Sequence, residues 1–139
     1  MAVVLDTSII VALVVADEDE HDLVREWIFS QDDDLVTTPL ALAEIDHVVT
    51  ARASRLITQR VWMDFDNDAY QVRWWADALA ETLKILRVES KLDIGIVDAS
   101  LVALAERLNT TRIATLDHRH FRQITVDGGK HFTIFPADA

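Results

Sequence analysis

The chain opens MAVVLDTSIIVALVV, a run that is apolar except at Asp6, Thr7 and Ser8. The residues before Asp6 are short, β-branched and apolar on both faces, so they read as a strand, residues 3–5, buried on both sides. Such a strand needs a layer above and a layer below it, which constrains the fold more than any other feature. The acid is the anomaly. A buried carboxylate without a partner costs several kcal/mol, so Asp6 must either cap the helix that follows or face something positive.

The same grammar repeats along the chain. A helix is expected over 7–15 after the turn cluster DTS. A second, with Leu23, Trp27 and Ile28 at helical spacing behind an acidic first turn, is expected over 20–30. A short strand at 35–37 leads into Thr38-Pro39, a cap followed by proline at the first helical position. The helix there turns Leu42, Ile45, Val48 and Val49 to the core. Another helix follows from Ser54, then a strand near 69–73 and a helix over DALAETLKILRVE. DIGIVDASLVALAERLN is helical, with Val97, Leu101, Leu104, Ala105 and Leu108 on one face. TRIATLD is a buried strand ending in an acid, and HFTIF a last strand after a DGGK turn. Alternating strands and helices predict an α/β fold, a three-layer α/β/α sandwich around a central parallel sheet.

With 139 residues and half of them hydrophobic, the chain suits one domain, 1–139, with a substantial core. It has no cysteine, which excludes disulfides and thiolate metal sites. The N-terminus lacks the basic start of a signal peptide, and no apolar run approaches the roughly 20 residues of a membrane span. A cytoplasmic protein without membrane contact is expected. The net charge of −11 disfavours nonspecific nucleic-acid binding and favours a basic partner or carboxylates gathered around a cation. The DEDE and DDD runs read as solvated acidic faces.

Ligands of open α/β sheets bind beyond the carboxyl ends of the strands. Asp6 and Asp117 each follow a strand directly, and Asp98 and Glu44 lie early in helices that can reach the same edge. Each acid alone has a plain reading as a cap or a helix-start charge. Four acids, each embedded in an apolar segment, are harder to explain as four caps. Asp46 is expected on the more solvated side of its helix than Glu44, and Asp93 reads as a cap or surface residue. A carboxylate cluster repels itself unless a cation offsets it. Mg²⁺, with Mn²⁺ as substitute, prefers such oxygen ligands and acts on phosphodiesters. The only glycines are Gly95, Gly128 and Gly129, so no phosphate-cradling or dinucleotide-binding loop exists. Ser8 stands where a haloacid-dehalogenase phosphatase needs a second Asp, and the paired early acids of a receiver domain are missing.

VVLDTSIIVALV, TTPLALAEIDHVVTAR, DIGIVDASLVALAERL and TRIATLDHRHF together resemble PIN-domain ribonucleases, and more narrowly the VapC toxins of VapBC toxin–antitoxin modules. The resemblance covers nearly the whole chain, least clearly residues 54 to 90. It implies a metal-dependent ribonuclease that cuts structured RNA, a tRNA or ribosomal RNA loop, and so inhibits translation. Asp6, Glu44, Asp98 and Asp117 match the family's catalytic acids and are the expected metal ligands, Asp6 and Asp98 foremost. The implied partners are a VapB-type antitoxin, whose C-terminal segment wraps the toxin and places an arginine in the acid pocket, and a second copy in a homodimer.

Thr7, Ser8 and Thr115 are candidates to orient the carboxylates. His118, Arg119, His120 and Arg122 are candidate RNA contacts, with Arg52 and Arg55 behind them. A histidine zinc site is disfavoured, because His118 and His120 are too close for a helical pair. Trp62, Trp74 and Trp75 serve either base stacking or core and partner contacts. The rival to catalysis is a noncatalytic binding module of the same shape that grips a basic partner through its acids.

Overall fold

The computed structural model describes residues 1–126 and 128–139. The elements in chain order are β1 (Ala2–Leu5), α1 (Thr7–Val14), α2 (His21–Phe29), β2 (Asp34–Thr37), α3 (Pro39–Arg52), α4 (Arg55–Asp66) and β3 (Gln71–Val72). They continue with α5 (Ala78–Val88), a 3₁₀ turn at Ser90–Leu92, α6 (Ile96–Arg107), β4 (Arg112–Ala114), α7 (His118–Gln123), β5 (Thr125–Val126), β6 (Lys130–His131) and β7 (Thr133–Phe135).

Five strands form a parallel sheet in the order β3-β2-β1-β4-β7. Alternation along β1 sends Val4 to one face and Val3 and Leu5 to the other. Val4 packs with residues of α5, α6 and α7, among them Leu101, Leu104 and Phe121. Val3 and Leu5 pack with α1 to α4, through Ile9, Trp27, Ile45 and Val61. The sheet is therefore covered on both faces, as its two-sided apolar strands require. After β3 the chain returns across the sheet to place β4 on the other side of β1. The gap between β1 and β4 is the point where strand order reverses, and a crevice opens at its carboxyl end.

Three local readings need correction. HRHFRQ, given no element in the sequence reading, is helix α7. It buries Phe121 alone, so it carries no apolar periodicity to announce itself. The run HFTIF is two strands, because its partner changes at buried Phe132. β6 pairs antiparallel with β5, whereas β7 pairs parallel with β4. Helix α6 starts at Ile96 with Gly95 as its cap, later than the helical run from Asp93 suggests; Asp93 is an exposed left-handed residue (φ 53°) that ends the 3₁₀ turn, in keeping with its reading as a cap or surface residue. Asp127, the first residue of the expected DGGK turn, lies outside the described residues.

Candidate functional site

Asp6 and Asp117 occupy the N-cap positions of α1 and α7, yet neither carboxylate makes a capping bond. Thr38 and Ser54 show the contrast: their hydroxyls accept from Ala41 N at 3.4 Å and Ile57 N at 3.1 Å and cap α3 and α4 in the ordinary way. The plain capping reading of Asp6 and Asp117 therefore fails. Backbone pairing carries Asp6 to the edge of the crevice, since its N–H donates to Ala114 O of β4 at 3.0 Å.

Asp6 is buried, and hydroxyls brace it. Ser8 Oγ donates to Asp6 Oδ2 at 2.7 Å, and Thr115 Oγ1 donates to the same oxygen at 2.8 Å. Each hydroxyl also accepts a backbone N–H from the turn after β4: Leu116 N on Ser8 at 3.0 Å and Asp117 N on Thr115 at 3.0 Å. One network thus fixes the Asp6 carboxylate and the backbone that presents Asp117. Burial raises the Asp6 pKa, the two hydroxyls pull it down, and Glu44 raises it again. Thr7 Oγ1, also buried in this cleft, has no hydrogen-bond partner.

Asp98 enters from the first turn of α6. The helix's positive end favours its charged form, but burial first, then the charges of Asp6 and Asp117, push its pKa up to about 7. His120 works in the opposite direction and is too weak to offset them. Its Nδ1 lies 3.3 Å from Asp117 Oδ2 and 3.9 Å from Asp98 Oδ2, without hydrogen-bond alignment. Asp98, Asp117 and His120 each offer one ligand atom within 4.8 Å of the others. Asp6 and Glu44 line the same cleft, of about 530 Å³, outside that tight group.

All four expected acids therefore meet in one cleft. Glu44, however, is exposed on its wall, and Asp46 is the more sheltered of the pair, bonded to Arg55 at 2.9 Å. His120 faces the acids instead of an outward RNA surface. Arg122 is held by Asp138 through two bonds of 2.8 and 2.6 Å, whereas His118 and Arg119 are exposed. One ion pair of the wall escaped the sequence reading. Glu18, from the DEDE run, is half-buried and ion-paired to Arg52 at the end of α3, and both line the cleft with Glu20. That pairing joins distant segments and leaves no periodic trace. His120 did leave a signal: it stands three residues after Asp117, one turn along α7.

The donor set fits a divalent cation. Three carboxylates of like charge, an imidazole nitrogen and an unpartnered buried hydroxyl converge where no Lys or Arg among the described residues neutralises Asp98 or Asp117. Oxygen-rich sites suit Mg²⁺ or Mn²⁺, and the imidazole adds a ligand that Mn²⁺ accepts more readily.

Fold and cleft define a carboxylate-lined nuclease of the PIN class, and the PIN-domain family model matches residues 3–126. The chain belongs to the PIN-domain family, as a ribonuclease toxin of the VapC type. It is 34% identical over 134 residues to Ribonuclease VapC26 of Mycobacterium tuberculosis, covering 96% of this chain and 99% of that protein. It is 28% identical over 120 residues to Ribonuclease VapC29 of the same species, covering 84% and 86%. Among solved structures, it is similar to M. tuberculosis VapC20, a sarcin-ricin loop cleaving toxin (TM-score 0.75, 18% identity, 80% of this chain and 86% of that one). It is also similar to Rickettsia felis VapBC2 bound to promoter DNA (TM-score 0.69, 19% identity, 97% and 99%). No described helix is long and apolar enough to cross a membrane.

Proposed function

We propose that this ribonuclease is a divalent-metal-dependent endonuclease of structured RNA, cutting a loop of tRNA or ribosomal RNA and thereby inhibiting translation. The observation that carries the reading is the un-neutralised group of Asp98, Asp117 and His120 beside the braced carboxylate of Asp6. Asp98, Asp117 and Asp6 would hold Mg²⁺ or Mn²⁺, with His120 alongside. A bound cation there supplies a polarised phosphodiester, a water of lowered pKa and a neutralised leaving oxygen.

The chain's own groups do the rest. Ser8 and Thr115 hold Asp6 in one rotamer, so it need not reorganise during the reaction. Glu44, exposed on the cleft wall, is placed to take a proton from the attacking water. His118 and Arg119 at the rim are free to meet the RNA backbone. The acid cleft also suits the arginine of a VapB-type antitoxin, the partner that the Rickettsia felis complex suggests. We assign the working protein to the cytoplasm, as one domain over 1–139 and as a homodimer.

The test is cleavage of total bacterial RNA, intact ribosomes included, by antitoxin-free protein in Mg²⁺ or in EDTA, with folded Asp6→Asn and Asp98→Asn proteins alongside. Discrete fragments that need metal and vanish in both variants are expected. RNA left intact by the wild type, or cut equally by the variants, overturns the assignment and returns the cleft to a binding role.

A further inference from the structure

We propose that Arg73, Trp74, Trp75 and Arg107 form a second RNA-binding site, which stacks a base and holds phosphate of the strand flanking the cleavage point. The inference rests on the ribonuclease reading and asks how so acidic a protein holds RNA at all. Four of its arginines are already neutralised: Arg52 by Glu18, Arg55 by Asp46, Arg112 by Asp33 and Arg122 by Asp138. Attraction to a polyanion must come from cations outside these pairs.

Arg73 and Arg107 are two such groups, with no ion pair among the described residues, and they converge on one concavity of about 330 Å³. Its other walls are Trp74, Trp75 and Leu108, and no acid among the described residues lines it. The segment that carries the tryptophans leaves β3 with its backbone tied down, Arg73 N donating to Thr37 O at 2.9 Å. Trp75 is pinned. Its indole N–H donates to Glu81 Oε2 at 2.8 Å, and the Arg107 guanidinium lies over its ring, 5.7 Å from the centroid. Trp74 tilts against Trp75 at 5.9 Å and is 42% exposed. A rigid indole thus supports an exposed one, with cations beside both. That pairing suits a nucleobase with its phosphate, since every base has a face to stack and every nucleotide a charge.

Asp98 and Arg107 share helix α6, nine residues apart: about 14 Å by helical rise and about two and a half turns, so their side chains leave opposite faces of the helix. A strand that passes around α6 meets both sites. Neither site needs the other's chemistry: the acid cleft repels phosphate until a cation binds, whereas the arginine corner attracts it unaided.

The test uses the intact chain in EDTA, where nothing is cut, and a short fluorescein-labelled single-stranded oligoribonucleotide of mixed sequence, read by anisotropy over a salt series. The wild type should bind with affinity that falls as salt rises. Trp74→Ala should weaken binding about tenfold, Trp74→Phe should retain most of it, and R73Q/R107Q should flatten the salt dependence. Circular dichroism and sedimentation of each variant accompany the titration. No binding in EDTA, or unchanged affinity in Trp74→Ala, overturns the site. So does a change confined to self-association or to capture of an antitoxin. Cleavage of total RNA, run in parallel, separates the two claims: metal-dependent cutting with RNA affinity indifferent to Trp74 removes this site alone, and Trp74-dependent affinity without cutting removes the nuclease alone.

Discussion

Helix α7 has a carboxylate problem at one end and a carboxylate solution at the other. At its start, Asp117 stands with Asp98 around His120, and the Asp98 pKa is pushed up to about 7. Near its end, Arg122 takes both oxygens of Asp138, which also accepts Ile134 N at 2.7 Å, and the Asp138 pKa falls to about 2. The hydrogen bonds from Arg122 lead that fall, whereas burial leads the rise at Asp98. A carboxylate kept for architecture is given its cation by the chain. Asp98 has no such cation among the described residues, which is the arrangement expected of a carboxylate that serves chemistry.

The comparison breaks most visibly by substitution at the unsatisfied end. Asp98→Asn should lower RNA cleavage by about a hundredfold or more, beyond the 10–100-fold typical of residues that only support a metal ligand. The same change should stabilise the metal-free protein. Asp98 binds its proton more tightly folded than unfolded, so the folded state holds the extra proton between about pH 4 and 7. Stability therefore falls as pH rises through that window, and Asp98→Asn should make the fall shallower, leaving the part due to Asp6. Melting curves from pH 5 to 8 check the sign.

Added Mn²⁺ or Mg²⁺ should reverse the penalty. Metal competes with the proton on Asp98, so its stabilisation should grow with pH and reach about 2.7 kcal/mol at a hundred times the dissociation constant. Melting shifts at two pH values measure it. Thr115→Val sharpens the comparison from the side of the brace. It keeps the shape, removes the donor to Asp6 and leaves Asp117 N without its acceptor. We expect about a tenfold loss of cleavage and a loss of about 1–2 kcal/mol in stability. The smallest effect belongs to the satisfied end: Arg122→Ala should leave cleavage within about twofold, because the pair is exposed. Asp138's contribution to stability is present above the ordinary carboxylate range and should fade only as pH drops toward about 2.

The sequence made the acids legible because they break apolar runs. Asp6, Asp98 and Asp117 interrupt segments that otherwise belong to the core, and strand-ending acids in an α/β pattern share one edge. The layered sheet was readable for the same reason. Contacts between distant segments were not. Ser8 and Thr115 lie 107 residues apart, and nothing local distinguishes their hydroxyls from a cap and a strand threonine. Glu18 looked like solvent-facing charge until α3 brought Arg52 beside it. The approach of His120 to Asp98 and Asp117 was not readable, because α7 buries one phenylalanine and so gives no helical pattern from which its inward face could be read.

The most direct measurement is a calorimetric titration of Mn²⁺ into the wild type, Asp98→Asn and Arg122→Ala, above the Asp98 pKa of about 7. The account predicts saturable binding to the wild type and to Arg122→Ala, with proton release that increases as pH is lowered toward 7, and no measurable binding to Asp98→Asn. Equal binding by all three proteins, or none by the wild type, would contradict it.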